Sequence, residues 1–247
     1  MFSKAIIITA RTSSTRLPKK ILKKITKKDR VIDIIIKRSL ETNFPIILAT
    51  SNHSSDDKLV KYVTKKYKIN IFRGSKNNKI RRWFNCMKKF KLEYAGFVDG
   101  DDLAFDFNLY SKVLRKINVN RSFLYKFDKR VIPGVFTYII SFKELHKIFL
   151  KTKKYKKIDV IEKFIDKKII NYKTLIFKKP LINEQIRLTL DYKDDLKFFR
   201  YLFRRISFKN STIKIIKHIK QKKLARINYY LEDKWRNNQI NEIKKNK

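Results

Sequence analysis

Two stretches of the chain concentrate side chains that could do chemistry. Arg11-Thr12-Ser13-Ser14-Thr15-Arg16-Leu17-Pro18-Lys19-Lys20 gathers guanidinium, ammonium, hydroxyl and backbone N–H donors in one short segment. Such a set suits the oxygens of a triphosphate, because arginine forks onto two oxygens and lysine supplies a point charge. A solvated basic loop is the plainer alternative in a chain with 63 Lys and Arg. The second stretch, Asp99-Gly100-Asp101-Asp102, spends three of only 22 acidic residues on four positions. Clustered carboxylates suit Mg²⁺, which takes oxygen ligands and bridges phosphates; an Asp-stabilised turn at a helix start is the structural alternative. A further acidic group follows at Asp191, Asp194 and Asp195. Asp194 and Asp195 could serve only to cap the next helix, whereas Asp191 stands directly at a predicted strand end.

The elements needed to position these groups are legible as alternating short apolar runs and helical patterns. Ala5–Ala10, Pro45–Thr50, Asn70–Phe72 and Tyr94–Val98 read as buried strands. Between them Val31–Leu40, Asp56–Lys66 and Lys79–Phe90 have helical spacing. That alternation predicts an α/β fold, a mostly parallel sheet with helices on both faces. In such sheets ligands bind beyond the carboxyl ends of the strands, and both chemistry-bearing stretches follow a predicted strand. After Asp106 the pattern loosens. Helices are expected at Leu109–Ile117, Ser141–Leu150 and Ile158–Ile165, and strands at Val135–Ser141 and Ile186–Leu190. A helix from the Asp191 loop to about Arg205 follows, then one capped by Ser211 and running to about Gln221. Residues 1–232 read as one domain and 233–247 as a polar tail.

The net charge of +41 would ordinarily suggest nucleic acid, acidic membranes or anionic substrates. Yet the lysines run almost evenly along the chain, with abundant Ile, Asn, Phe and Tyr, which reads as compositional drift on solvated faces. Cys86 is the only cysteine, so neither an intrachain disulfide nor a multi-cysteine metal site is expected. Three scattered histidines offer no zinc spacing. No run of about 18 apolar residues could span a bilayer, and the opening residues are too short for a signal core. A cytoplasmic protein is the expectation.

The motif Ala-Arg-x-x-Ser-Thr-Arg-Leu-Pro-x-Lys within Ala5–Lys20 closely resembles the opening signature of the cytidylyltransferases. These include the 3-deoxy-manno-octulosonate, acylneuraminate and spore-coat polysaccharide protein F types. The resemblance continues through Leu48-Ala49-Thr50-Ser51 with Asp56-Asp57, Phe72-Arg73-Gly74-Ser75, Arg82 and Gly100-Asp101. It resumes at Ile186-Arg187-Leu188-Thr189-Leu190-Asp191-Tyr192 and is weakest between about 121 and 180. It implies a Rossmann-like, GT-A-like nucleotidyltransferase fold that binds CTP and Mg²⁺. Ala10, Arg11, Ser14, Thr15, Arg16 and Lys20 would bind the nucleotide; Arg16, Lys20 and Asp101 would be catalytic. Asp101 and Asp191 would carry Mg²⁺, and Arg73 and Arg82 would meet an anionic acceptor, with residues of about 120–180 forming the acceptor side. Homodimers are usual in the family, though no interface signal stands in this chain. The sequence departs from the family at Ser13 and Lys19, where Gly is usual, and at Asp102-Leu103-Ala104, where the common Pro is missing.

The expected activity is transfer of CMP from CTP to an acidic sugar or related small acceptor, with pyrophosphate leaving, in surface polysaccharide or glycolipid synthesis. An acceptor oxygen would attack the α-phosphorus in line, so no protein nucleophile is needed. A basic nucleic-acid-binding α/β protein is the rival reading, with Tyr229, Tyr230 and Trp235 as stacking platforms; evenly spread lysines and two strand-end acidic groups speak against it. A third is a relative that binds nucleotide without transferring it.

Overall fold

The computed structural model describes residues 2–128, 130–166, 168–182 and 184–245, the last four by backbone alone. Among these residues seven strands form one sheet in the order β3-β2-β1-β4-β6-β5-β7. They are β1 (Lys4–Thr9), β2 (Ile46–Ser51), β3 (Asn70–Gly74), β4 (Tyr94–Asp99), β5 (Leu124–Lys126), β6 (Tyr138–Ser141) and β7 (Tyr172–Thr174). The pairs β1–β2, β1–β4 and β2–β3 are parallel, and β6 alone runs against its neighbours β4 and β5. β1 and β4 are in register from Lys4↔Tyr94 to Thr9↔Asp99, so their carboxyl ends finish side by side. That register brings the basic loop after β1 against the acidic turn after β4.

Among the described residues eight helices pack around the sheet: α1 (Val31–Leu40), α2 (Asp57–Lys66), α3 (Lys79–Lys89), α4 (Phe107–Lys116), α5 (Phe142–Thr152), α6 (Lys193–Phe203), α7 (Thr212–Gln221) and α8 (Glu232–Lys245). Strand alternation divides the interior between two faces. Ile6 and Ile8 face a core shared with α1, α4, α6 and α7, while Ala5 and Ile7 face α3 and α5. On the second face Trp83 stacks on Phe97 at 3.9 Å, and its indole Nε1 donates to Thr9 Oγ1 at 2.7 Å. This fixes α3 against the end of β1. Cys86 lies buried on the same helix, its thiol pushed up to about 12 by burial.

Three sequence expectations change. The helix expected at Ile158–Ile165 is only a short 3₁₀ turn, Glu162–Phe164. The reason is that Ile158 is tied by its backbone to the start of α3, accepting from Lys79 N and donating to Asn77 O, both at 2.8 Å. The strand expected at Ile186–Leu190 joins no ladder. Its N–H groups go to loop carbonyls instead, Leu188 N to Pro133 O at 3.0 Å and Leu190 N to Asp101 O at 2.9 Å. The segment expected as a polar tail forms α8 as far as Lys245, and residues 246–247 lie outside the described residues. Ser211 does cap α7, accepting from Lys214 N.

Candidate active site

The basic loop is held by its own polar residues. Thr12 donates both its backbone N–H (2.7 Å) and its hydroxyl (2.6 Å) to Asp56 Oδ1. Asp56 also takes the Ser51 backbone N–H at 3.2 Å, so one buried carboxylate pins the loop to the end of β2. At its far end Lys19 adopts φ 53, the left-handed region that favours glycine. This is one of the two positions at which the resembling enzymes carry Gly. A short 3₁₀ turn, Lys20–Leu22, then aims Lys20 inward.

Lys20 is the centre of the site. Its Nζ donates to Asp101 Oδ2 at 2.7 Å, to Asp191 Oδ1 at 3.0 Å and to the Leu190 carbonyl at 2.8 Å. Arg16 Nη2 reaches the same Asp191 oxygen at 2.6 Å. Burial opposes the charge on Lys20, but Asp101 and Asp191 outweigh it and raise its pKa. Burial likewise opposes ionisation of Asp191, and Lys20, Arg16 and Arg187 overcome that and hold it far below the usual carboxylate range. Residues far apart in the chain thus meet because the 186–190 segment runs back beside the turn after β4.

That turn is tight. Gly100 donates to Thr9 O at 2.8 Å, and a Cβ at Gly100 would lie 3.0 Å from Ala10 Cβ and 3.1 Å from Thr9 O. The carboxyl oxygens of Asp99, Asp101 and Asp102 approach within 4.8 Å of one another. Asp99 pairs with Lys79 at 2.7 Å, from the first turn of α3. Asp102 accepts from Thr137 Oγ1 at 3.1 Å, and burial with Asp101 and Asp99 nearby raises its pKa well above the ordinary value.

These groups line an open cavity of about 830 Å³. Ala10, Arg11, Ser14, Thr15, Arg16, Lys20, Arg82, Asp101 and Asp191 all border it. Arg73 does not; it turns along the sheet edge to the Ser51 and His53 carbonyls and to Asp57 at 2.6 Å. Arg11 pairs with Asp159 at 2.8 Å and donates to the Lys76 carbonyl. Arg82 is buried and donates to the Ser75 carbonyl at 2.6 Å, its pKa lowered to about 10 by burial and then by Arg11. Sequence reasoning missed Lys79, one base among 63, and Asp159, which lies in the weakly resembling region. It also missed the α8 residues Arg236 and Gln239, which border the cavity, and named Trp235 only as a stacking platform for nucleic acid. The only signal for Lys79 was its place at the start of a helix that follows a strand.

The donor set fits a hard divalent cation. Asp101 and Asp191 offer oxygens only, and a single ammonium bridges them, which is a cation's place between two carboxylates.

A parallel 3-2-1-4 core with an antiparallel β6, and a charged centre at the ends of β1 and β4, is the α/β nucleotidyltransferase fold. Residues 5–123 match the cytidylyltransferase family model. An uncharacterized protein of Methanocaldococcus jannaschii is 27% identical over 215 residues, covering 85% of this chain and 87% of the relative. A cytidylyltransferase from Leptospira borgpetersenii superposes with a TM-score of 0.75 at 18% identity, over 91% of this chain and 97% of its own. The CMP:2-keto-3-deoxy-manno-octonic acid synthetase complexed with CTP gives 0.57 at 14% identity, over 83% and 99%.

Proposed function

We propose that the protein transfers CMP from CTP to an acidic sugar or related small acceptor, releasing pyrophosphate, as a cytoplasmic step towards surface polysaccharide or glycolipid. One observation carries this reading: Lys20, Arg16, Asp101 and Asp191 converge at the ends of β1 and β4, the first three of them within the stretch 5–123 that matches the cytidylyltransferase model. In this account Ala10, Ser14 and Thr15 line the nucleotide, and Arg11, Arg16 and Lys20 bind its phosphates. Asp101 and Asp191 would hold Mg²⁺, which would supply charge neutralisation on the phosphate oxygens. An acceptor oxygen forms a bond to the α-phosphorus as the bridge to the β-phosphate breaks. The negative charge leaves with pyrophosphate and is met by the cations of the basic loop, Arg11, Arg16 and Lys20.

An acidic acceptor is supported by the basic lining of the cavity, which includes Arg82, Lys76 and Lys157. Lys79, which borders the cavity and pairs with Asp99, orients the acceptor relative to the acidic turn in this account. The test is pyrophosphate release from CTP and Mg²⁺ across a panel of keto-sugar acids and nonulosonic acids, with wild type and Asp101→Ala. Release by the wild type with one acid class, lowered by about 10²–10³-fold or more in a folded Asp101→Ala, is expected. Undiminished release in that variant refutes the metal assignment.

A further inference from the structure

The mechanism above gives Arg187 no task. Arg187 is fully buried, and its guanidinium contacts three carboxylates, two around the start of α6 and one at the start of α8. Nη2 donates to Asp191 Oδ2 at 2.9 Å, Nε to Asp195 Oδ1 at 3.2 Å, and Nη1 to Glu232 Oε2 at 3.1 Å. Asp191 therefore meets Lys20 and Arg16 through one oxygen and Arg187 through the other. Asp195 is itself fixed, taking the backbone N–H groups of Asp191 (2.8 Å) and Tyr192 (2.9 Å) as the cap of α6. Glu232 is different, because it belongs to the first turn of α8.

Helical spacing gives that contact its meaning. Glu232, Trp235, Arg236 and Gln239 share one face of α8 at i, i+3, i+4 and i+7. The face that sends Glu232 to Arg187 is thus the face whose next residues border the cavity. Trp235 also lies 5.2 Å from the Arg187 guanidinium carbon, and Asn238 donates to Tyr192 Oη at 2.8 Å. Just before α8, Asn228 Nδ2 donates to Asp195 Oδ1 at 2.9 Å and to the Arg187 carbonyl at 3.3 Å.

We propose that Arg187 is a positioning residue that couples the seating of α8, through Glu232, to the orientation of Asp191. The last helix is then a working wall of the nucleotide site. The inference rests on the nucleotide reading given above. Partners that orient a metal-binding carboxylate from behind typically change affinity or activity by about 10–100-fold when removed. A purely structural helix would instead change stability alone.

The test is calorimetric titration with CTP in MgCl₂, alongside tryptophan emission. Glu232→Ala is expected to weaken CTP binding about tenfold or more. Glu232→Gln, which keeps an acceptor oxygen at the same reach, is expected to recover most of that loss. Tyr230→Phe, which removes a contact of the same segment to Asp194 but touches neither Arg187 nor the cavity, keeps wild-type affinity. CTP shifts the emission of the wild type but not of Trp235→Phe, whose remaining Trp83 is buried against Phe97. Unchanged affinity in a folded Glu232→Ala, or an equal loss in Tyr230→Phe, overturns the coupling. Should Glu232→Ala not fold, an emission signal indifferent to CTP overturns it. An absence of heat with wild type and CTP overturns the nucleotide reading, and the coupling with it.

Discussion

Arg73 and Arg82 come from one stretch of family resemblance, yet the fold uses them in opposite ways. Arg73 lies along the edge strand and pairs with the exposed Asp57. Exposed pairs contribute about 0–1 kcal/mol, so Arg73→Ala should keep both transfer activity and urea stability close to wild type. Arg82 is buried, held by the Ser75 carbonyl beside the Arg11–Asp159 pair. Its removal leaves buried acceptors unmet, and Arg82→Ala should lose about 1–3 kcal/mol in urea unfolding and weaken acceptor use. Equal behaviour of the two variants would contradict this division. At this scale the sequence was most readable at Lys20, Asp101 and Asp191, which the fold brings together although the run before Asp191 joins no sheet. It was least readable at Arg73, since which way a side chain leaves an edge strand depends on its neighbours. Lys79 was hidden by the abundance of its own type.

Among the elements, α1 shows how a segment is anchored by one carboxylate. Asp33 is buried and receives the Arg30 N–H (2.7 Å), Tyr62 Oη (2.7 Å) and Tyr67 Oη (2.6 Å), with Lys66 at 2.9 Å. Burial raises its pKa, but the hydrogen bonds from Tyr67, Arg30, Tyr62 and Lys66 win and lower it below 3.8. A depressed folded-state pKa contributes stability that is complete above the unfolded value and is lost as pH falls towards the folded one. The stability gap between wild type and Asp33→Asn should therefore be widest near neutrality and narrow below about pH 4, as read by urea midpoints. A gap independent of pH would contradict it. The strand–helix alternation up to β4 was legible because apolar runs alternate there with helices of clear periodicity. β5 and β7, three residues each, carry too little pattern to read. The 186–190 segment is apolar enough for a strand, but its hydrogen bonds are taken by loops. α8 is polar and weakly patterned, and its first turns are held by Arg187 and Tyr192 rather than by a broad apolar stripe.

For the molecule as a whole, the charge is the main quantity. Among the described residues nine of the 22 acidic side chains are buried, against three of the 63 Lys and Arg. The surface is therefore more basic than the composition alone suggests, and its self-repulsion is screened over a Debye length of about 10 Å at 0.1 M salt. The melting temperature should rise by several degrees from about 0.01 to 0.2 M NaCl; a flat or falling profile would contradict a repulsive surface. No described helix is long and apolar enough to cross a membrane. The same field would attract any polyphosphate, so specificity must come from the cavity. The most direct test is the thermal shift at moderate salt with CTP, UTP, ATP and GTP, each with and without Mg²⁺, since a ligand of the native state raises the melting temperature by mass action. A shift largest for CTP with Mg²⁺, and lost in Asp101→Ala, is the predicted result. Equal shifts with all four nucleotides that vanish together in salt would contradict the account.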